Sequence, residues 1–532
     1  MYRDVLFSDD ARKGLIRGID ILANAVGSTL GPRGRNVVFH NKYTGIHVTK
    51  DGVTVAKNVR LEDNHEAMGV EMVKQVAEKT ADLAGDGTTT ATVLAQSLIK
   101  HGNRSIVAGA NPIDIKRGMD KALKDIVEGI KVNSKPIKLD KTTLFQVASI
   151  SANNDEEVGQ IIADAFVTVG EEGAISIEEA KGFDTYLDIV QGFQLDKGYL
   201  SPYFVTDADT MQTIFDNVKI VICKDKITEA VELNPLIEKS KGYNLLLICD
   251  DISTEALAAL VYAKLRGGFS IAAIKSPFYG LKKEESLDDL AVILGTRPLS
   301  KELGYPIKSF ELSLAGSAEK CVITKNSTLI VNGHGKKSTV DSHVDRLKVL
   351  RENETNKMSK DRLSERIAKL TTGVAVLYVG AASEVEMKEK KDRIEDAKEA
   401  VSSSLKEGIV EGGGVCLVKI AKSLKNTYKG DEAIGYQVVL DACKEPLNRM
   451  ALNSGKSSSE VIYNEIITSG KGYDFKNEEY CDMFEKGIID PAMVTRVAIE
   501  NAVSVAGMVL ITDCALVNIG DMSEGMPEYF IN

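Results

Sequence analysis

The sequence predicts a multidomain protein of mixed α and α/β class, in which an α/β domain is inserted into a helical one. Its 532 residues are enough for about three domains at roughly 150 residues each. Both ends of the chain show the three-and-four-residue apolar spacing of amphipathic helices. The middle contains short continuous apolar runs on either side of a helical stretch, which is typical of a parallel sheet covered on both faces.

The N-terminal region predicts one helix followed by a small β-meander. Apolar residues from Leu15 to Leu30 recur at steps of four and three behind Ser8, a candidate N-cap, and the Gly-Pro pair that follows ends the helix. The β-branched stretches of residues 36–56 then predict three short strands. The last two strands are divided by Asp51-Gly52, which has turn chemistry.

Two further helices are predicted after the meander. Asp63 with Glu66 three residues later resembles a capping box, and the helical face behind it continues to Gly85. Another helix follows over residues 88–100. The stretch between these two helices is therefore a short, glycine-rich connection.

The middle of the chain predicts a strand–helix–strand unit. Residues 243–251 and 270–276 are short apolar runs, and residues 254–265 between them have a helical pattern. The remaining predicted elements are a long charged helix over 347–370, a strand over 374–380, and helices over 384–405 and 491–508.

Composition excludes several classes of function. The net charge is −11, and the chain has no block of five consecutive basic residues, which argues against binding to nucleic acid or to an anionic membrane surface. Seven scattered cysteines without a C-x-x-C pair, together with six dispersed histidines, favour reduced thiols over disulfides or structural zinc. No uncharged apolar run approaches the roughly 18 residues that span a bilayer. We therefore expect a soluble, cytoplasmic protein.

The segment from Gly85 to Thr90, with the sequence GDGTTT, is a candidate phosphate site. Glycine lets a backbone approach a phosphate closely, the amides at a helix N-terminus bind its oxygens, and a carboxylate alongside can hold magnesium. The same segment also fits an ordinary turn between two helices with a threonine cap. Related chemistry occurs in residues 31–34, 50–52 and 412–414, each weak alone.

A P-loop is not the source of any nucleotide binding. The match to its last residues, Gly455-Lys456-Ser457, has Met450 where the first glycine belongs.

Asp396 lies in the highly charged stretch KEKKDRIEDA, and composition alone predicts a surface acid there.

Two apolar segments in the middle of the chain have no obvious packing partner. Residues 198–204, GYLSPYF, place four apolar side chains in a segment punctuated by glycine and proline. Nine of the twelve residues of the predicted helix 254–265 are apolar, so that helix is either fully buried or has an exposed apolar face.

The sequence resembles the group I chaperonins of the GroEL type over essentially its whole length. The resemblance rests on eight ordered motifs: TLGPRGRNVV (29–38), TKDGVTVAK (49–57), AGDGTTTATVLA (84–95), NPIDIKRG (111–118), GYLSPYF (198–204), GAASEVEMKEKKDRIEDA (380–397), EGGG (411–414) and DPAMVTR (490–496). It implies an ATP-hydrolysing chaperone that captures non-native polypeptides and encloses them in a ring chamber. The implied chaperonin fold has a helical equatorial ATP-binding domain (1–133 and 409–532), a small intermediate hinge domain (134–191 and 374–408) and an inserted α/β apical domain (192–373).

The resemblance also implies the residues of an ATP site. Asp396 would position and activate the attacking water with assistance from Asp51, and Asp86 would ligate Mg²⁺; K⁺ is a second cation that the family implies. The implied nucleotide-binding residues are Thr29, Leu30, Gly31, Pro32, Lys50, Asp86, Gly87, Thr88, Thr89, Thr90, Gly413 and Asp490.

In the apical domain the resemblance implies an apolar groove for polypeptides. Its implied residues are Tyr199, Tyr203, Phe204, Leu233, Ile237, Leu257, Val261 and Tyr262. Asn234 stands where the groove usually has leucine, which weakens or narrows the binding of clients and of a GroES-type co-chaperonin.

The implied assembly is a homo-oligomeric ring of seven subunits. Asn448, Ser457 and Glu460 replace an arginine, a glutamate and an apolar residue at the usual contact between back-to-back rings. With Arg104 and Lys456 nearby, we expect an unpaired or like-charged surface, and therefore a single ring or a labile double ring.

Two rival functions remain at the level of sequence. One is a ring that binds polypeptides but has lost its ATP cycle, which the retained Asp51, Asp86 and Asp396 disfavour. The other is a soluble ATPase acting on a small molecule, which the apolar groove disfavours. We expect the protein to act in the cytoplasm of a bacterium or of a virus-infected bacterial host.

Overall fold

The structure is a computed structural model. It describes residues 2–41, 45–152, 155–170, 174–180, 182–190, 192–208, 210–266, 269–278, 280–354, 356–371 and 373–519.

The described residues form eighteen α-helices. In chain order these are α1 (Ser8–Gly27), α2 (Gly52–Asn58), α3 (Asn64–Ala84), α4 (Thr88–Val107), α5 (Pro112–Asn133), α6 (Lys141–Ser151), α7 (Glu156–Val169), α8 (Asn234–Lys239), α9 (Thr254–Leu265), α10 (Gly280–Leu294), α11 (Lys337–Asn353), α12 (Lys357–Thr371), α13 (Glu384–Glu407), α14 (Val415–Ser423), α15 (Gly430–Ala442), α16 (Glu445–Asn453), α17 (Glu460–Ser469) and α18 (Ala492–Ile511).

The same residues form seventeen strands. These are β1 (Tyr2–Phe7), β2 (Val37–Asn41), β3 (Gly45–Thr49), β4 (Ala174–Glu179), β5 (Tyr186–Val190), β6 (Gly192–Leu195), β7 (Thr213–Ile227), β8 (Asn244–Ile252), β9 (Ser270–Lys275), β10 (Gly316–Ile323), β11 (Thr328–Gly333), β12 (Val374–Val379), β13 (Ile409–Glu411), β14 (Gly472–Asp474), β15 (Glu479–Cys481), β16 (Ile489–Pro491) and β17 (Cys514–Ile519).

The chain forms two compact units, and the second is inserted into the first. Unit 1 comprises residues 1–167, 181–184 and 379–532, and unit 2 comprises residues 168–180 and 185–378. The predicted α/β insertion into a helical domain is therefore confirmed. The finer division into three domains stays a prediction.

Unit 1 is built around a helical core. The long helices α1, α3, α4, α5 and α18 contribute fully buried side chains such as Leu22, Val73, Leu94 and Ile126 to one apolar cluster. Burial of each such side chain stabilises the fold by about 1.5–3 kcal/mol. Helix α18 has the length and apolar composition of a membrane span, but 72% of its apolar window is buried inside this core.

Unit 2 is built around a six-stranded sheet with the order β6-β11-β10-β7-β8-β9. Strands β7, β8 and β9 are parallel, with Leu246 of β8 opposite Ile220 and Ala272. Their continuous apolar runs are buried because helices α9 and α10 pack in the same core. The predicted strand–helix–strand unit of residues 243–276 is confirmed, with α9 at the predicted bounds.

The third strand of the predicted meander is wrong, because residues 52–58 form α2 instead. The side chain of Asp51 accepts hydrogen bonds from the backbone amides of Val53 and Thr54 at 3.0 and 2.7 Å. An N-cap of this kind is worth about 1 kcal/mol. It outweighs the β-propensity of the V-T-V sequence.

The predicted helix over residues 347–370 is also wrong in its bounds. The region is a pair of helices, α11 and α12, and Glu354 between them has an extended backbone with ψ 133°. The break lets Val344 and Leu347 of α11 pack against Leu363 and Ile367 of α12 in a small buried cluster. Burial of apolar side chains between the two helices explains the break, which the charge pattern of the sequence does not indicate.

Candidate functional site

Unit 1 contains a cavity of about 430 Å³, which is within the usual range for a small-ligand site. Every residue predicted for the nucleotide site or for catalysis lines this one cavity: Thr29, Leu30, Gly31, Pro32, Lys50, Asp51, Asp86, Gly87, Thr88, Thr89, Thr90, Asp396, Gly413 and Asp490. These residues come from six separate stretches of the chain.

The first stretch is the loop that follows α1. Thr29 is buried, and its hydroxyl donates to the carbonyl oxygen of Val26 at 2.8 Å. The side-chain amide of Asn453 donates to the carbonyl oxygens of Gly27 and Leu30 at 3.0 and 2.8 Å. The loop is therefore held in place from a helix more than 400 residues further along the chain.

Another of these stretches is the turn between α3 and α4. Gly85 and Gly87 have φ of +73° and +83°, a left-handed conformation that glycine adopts without strain. The turn directs the N-terminus of the 20-residue helix α4 into the cavity, beginning at Thr88. Free amides and the positive end of the helix dipole make such a terminus a binding site for phosphate.

Asp86 lies inside this turn and is partly shielded from bulk water. One carboxylate oxygen accepts a hydrogen bond from the Ser151 hydroxyl at 2.8 Å, and the other accepts from the backbone amide of Gly87. Burial raises the pKa of Asp86, an effect that these two hydrogen bonds oppose, and the negative charge of Asp51 raises it further.

Asp490 lies in a similar environment beside the glycine-rich segment. It precedes α18, and strand β16 pairs antiparallel with β13 so that Asp490 lies opposite Val410. Burial and the charge of Asp86 raise the pKa of Asp490 to about 7, while a hydrogen bond from the backbone amide of Gly413 lowers it. A bound group that neutralised this carboxylate, or took the place of its hydration water, would offset the free-energy cost of its burial.

Asp396 lies on α13, with its side chain at the cavity. The helix is attached to this region because the Ser403 hydroxyl donates to the carbonyl oxygen of Ala84 at 2.9 Å. Burial raises the pKa of Asp396 well above the ordinary value, and the charges of Asp86 and Asp51 raise it further. The surface-acid interpretation from composition is therefore wrong for Asp396.

The cavity has the chemistry of a magnesium site that is completed by a ligand. Asp86 supplies a partly buried carboxylate whose pKa is raised by burial and by the negative charge of Asp51. The described residues contain no group of three or more His, Cys, Asp or Glu side chains arranged to hold a metal by themselves. Mg²⁺ suits such a site, because it usually takes one or two carboxylates and completes its shell with phosphate oxygens and water.

Several residues of the cavity were not predicted from the sequence. They include Ser151, Glu389, Asp392, Arg393, Tyr473, Asp474, Phe475, Lys476 and Lys486. Asp392 was open to prediction, because it stands four residues before Asp396 and therefore on the same helical face. Ser151 gave no such signal, since its partner Asp86 is 65 residues away in the chain.

The eight predicted polypeptide-binding residues divide into three groups. Tyr203 and Tyr262 of unit 2 are 63% and 55% exposed. Tyr199, Ile237, Leu257 and Val261 are partly buried against the core of unit 2. Phe204 and Leu233 are fully buried, so the prediction that they face a ligand is corrected: they support the surface from below.

The residues expected at a contact between rings are more completely paired than the sequence indicated. The amide of Asn448 donates to the carboxylate of Glu445 at 3.2 Å, and its oxygen accepts from the Ser459 hydroxyl. Lys456 forms an ion pair with Glu478 at 2.6 Å, and Arg33 forms one with the same carboxylate at 2.7 Å. Lys456 is therefore paired within the chain, and the expectation of an unpaired or like-charged surface between rings stays a prediction.

Comparison with known proteins identifies the family. The chain belongs to the TCP-1/cpn60 chaperonin family, whose sequence model matches residues 22–234 and 229–519. The fold is similar to that of the chaperonin gp146 from the bacteriophage EL 2 (Pseudomonas aeruginosa), crystallised in the presence of ATP-BeFx. Crystal form II of gp146 superposes with a TM-score of 0.67 at 19% identity, covering 97% of this chain and 99% of gp146. Crystal form I gives a TM-score of 0.62 at the same identity and coverage.

Proposed function

We propose that this protein is an ATP-hydrolysing molecular chaperone that captures non-native polypeptides and encloses them in a ring chamber for folding. The observation that carries the proposal is the convergence of all fourteen predicted nucleotide and catalytic residues on one cavity of unit 1. The similar phage chaperonin gp146 was crystallised with the ATP analogue ATP-BeFx, which supports nucleotide binding in this fold.

In this proposal the cavity binds ATP with its phosphates at the N-terminus of α4. The amides of Thr88, Thr89 and Thr90 bind the phosphate oxygens, and Lys50 adds positive charge. Gly413 and Asp490 bind the base and ribose end of the nucleotide. Asp86 would hold Mg²⁺, which would supply charge neutralisation at the phosphate oxygens.

Hydrolysis follows from the position and the proton affinity of Asp396. The carboxylate accepts a hydrogen bond from a water molecule and directs the water oxygen toward the γ-phosphorus, with Asp51 assisting. The new bond joins the water oxygen to phosphorus, the bond from phosphorus to the β,γ-bridging oxygen breaks, and ADP keeps the electron pair. The water proton passes to Asp396, whose raised pKa suits it to accept that proton.

Client binding uses the exposed aromatic surface of unit 2. Non-native polypeptides share exposed apolar surface, and burial of that surface against Tyr203 and Tyr262 provides the driving force. The proposed assembly is a seven-subunit homo-oligomeric ring in the cytoplasm of a bacterium or of a phage-infected bacterial host, with a GroES-type co-chaperonin as partner.

A refolding assay tests the proposed function. The protein is mixed with a chemically denatured client enzyme, and light scattering and recovered client activity are measured with no nucleotide, with Mg²⁺-ATP and with Mg²⁺-ADP. We expect suppressed aggregation without nucleotide, and recovery of client activity that depends on Mg²⁺-ATP. Unchanged aggregation of the client in all three conditions would contradict the proposal.

A further inference from the structure

Helix α13 presents a stripe of four charged side chains to the cavity. Glu389, Asp392, Arg393 and Asp396 all line it, and their spacing of three, one and three residues places them on one helical face. The adjacent side of the helix carries the buried residues Ile394, Ala397 and Val401. The orientation of the stripe is therefore fixed by apolar packing.

Two members of the stripe are paired and two are not. Arg393 forms an ion pair with Glu389 and lies 3.6 Å from a carboxylate oxygen of Asp155. Among the described residues, none makes a hydrogen bond or an ion pair with the carboxylate of Asp392 or of Asp396. Both carboxylates therefore have their acceptor positions available to a molecule in the cavity.

Leaving these two carboxylates unpaired is costly. Burial raises the pKa of Asp392 to about 7, and the charges of Asp51 and Glu395 add to this effect while Lys388 and Lys391 oppose it. Asp392 in turn is one of the charges that raise the pKa of Asp396. An unpaired acid at a partly buried position that lines a cavity is typical of functional sites, because pairing or an apolar side chain would be more stable there.

The spacing of the two acids suits a shared water molecule. Side chains four residues apart on a helix have Cβ atoms about 5–6 Å apart. A water molecule has two O–H donors, and each can form a hydrogen bond of about 2.7 Å to a different carboxylate. A water held in this way has both hydrogens directed at α13, so its lone pairs point away from the helix and into the cavity.

We infer that Asp392 is a second water-positioning residue, which acts together with Asp396 to orient the water that attacks the γ-phosphate of ATP. The inference rests on the proposed ATP hydrolysis and adds a residue to it. Asp396 accepts the proton that the water loses, and Asp392 holds the second hydrogen and so fixes the direction of attack. No further reactant is required.

Asp392→Ala and Asp392→Asn test the inference, with Glu395→Gln as the matched control. Glu395→Gln removes one negative charge from the same helix, but Glu395 does not line the cavity. For each variant, the Kd for Mg²⁺-ATP and the rate of a single turnover of ATP are measured separately. Asp392→Glu is the conservative variant, since it keeps a carboxylate on the same face.

We expect Asp392→Ala to slow the single turnover by about 10- to 100-fold, less than the loss of a full general base. ATP binding should be unchanged or tighter, because a negative charge near the triphosphate is removed. Asp392→Asn, which keeps the side-chain shape, should fall between Asp392→Ala and the parent. Asp392→Glu should recover part of the lost rate, and Glu395→Gln should stay within about twofold of the parent.

Three results would overturn the inference: a parental turnover rate in Asp392→Ala, an equal loss of rate in Glu395→Gln, or a loss of ATP binding in both Asp392→Ala and Asp392→Asn. The first would show that Asp392 has no part in hydrolysis. The second would show an effect of net charge alone, and the third a structural role. If Asp396→Ala stops hydrolysis while Asp392→Ala does not, the inference fails and the proposed function stands; if the parent does not hydrolyse ATP, the proposed function itself fails.

Discussion

Asp490→Asn should stabilise the nucleotide-free protein at neutral and alkaline pH. Burial and the charge of Asp86 raise the pKa of Asp490 to about 7, against an ordinary value of 3.8. A carboxyl group with a raised pKa binds its proton more tightly in the folded state than in the unfolded state. The folded protein therefore loses stability as the pH rises from about 4 to about 7. Asparagine carries no charge at any of these pH values and avoids this loss.

The size of the effect follows from the difference between the two pKa values. At about 1.4 kcal/mol for each pH unit, a rise from 3.8 to about 7 corresponds to roughly 4 kcal/mol. Asp490 lines the cavity and is partly accessible to water, which reduces the effect. We therefore expect Asp490→Asn to increase the free energy of unfolding by about 2 kcal/mol above pH 7, and by nearly nothing at pH 4.

Urea unfolding followed by circular dichroism at a series of pH values from 4 to 8 measures this difference. Asp82→Asn is the control, because Asp82 is exposed and makes no hydrogen bond or ion pair with a described residue. In the control the free energy of unfolding should be unchanged across the series. An Asp490→Asn variant that is destabilised at pH 8, or equally stabilised at both ends of the series, would refute the argument from burial. ATP binding should weaken in the same variant if Asp490 contacts the ribose.

Three other outcomes are expected. Gly87→Ala should weaken ATP binding by at least about tenfold in a titration, because the residue has φ +83° and the added Cβ would lie 2.5 Å from Val494. Gly109→Ala is the control, since Gly109 has φ +101° but space for a Cβ. Equal affinities of the two variants for ATP would refute the role of the turn. Tyr203→Glu should abolish capture of a denatured client with little change in ATPase rate, since a charge is placed in an apolar contact. The control Tyr243→Glu lies outside the predicted groove and should capture clients normally. Capture by Tyr203→Glu at the parental level would show that the groove is placed wrongly. Analytical ultracentrifugation without nucleotide, with ADP and with ATP should show a ring of about seven subunits, or a double ring that separates with nucleotide; a stable particle of about fourteen subunits in all three conditions would contradict this expectation.

Local sequence patterns predicted most elements but not the competition between them. The capped start of α3 and the bounds of α9 follow from caps and apolar spacing. Helix α2 was missed because β-branched residues favour a strand, whereas the decisive interaction was the N-cap of Asp51. The division of α11 from α12 was missed because it depends on packing between the two helices.

Burial was harder to predict than secondary structure. Helix α9 was open to two interpretations, and the structure excludes the fully buried one: Leu260 is buried, while Tyr262 and Leu265 are exposed. Phe204 has the same apolar character as its neighbour Tyr203, yet only Tyr203 is exposed. The strands and helices beneath two adjacent apolar residues decide which of them faces solvent. Local composition does not predict this.

The cavity itself could be predicted only through the resemblance to a known family. The segments that meet there are spread along the chain from Thr29 to Asp490, and each one alone also fits an ordinary turn or surface position. The supporting contacts have no local signature, as with the side chain of Asn453, which fixes the loop after α1. Asp392 is the exception, because its helical spacing from Asp396 was visible in the sequence.

Single-turnover hydrolysis of γ-labelled ATP by the parent and by Asp396→Ala tests the central claim most directly. Both proteins are saturated with Mg²⁺-ATP, and binding is measured independently. We expect the two proteins to bind ATP with similar affinity, while Asp396→Ala loses at least about 100-fold in the rate of phosphate release from ATP, because it lacks the carboxylate that activates water. Equal rates in the two proteins at equal saturation would contradict the assignment of this cavity as the site of hydrolysis.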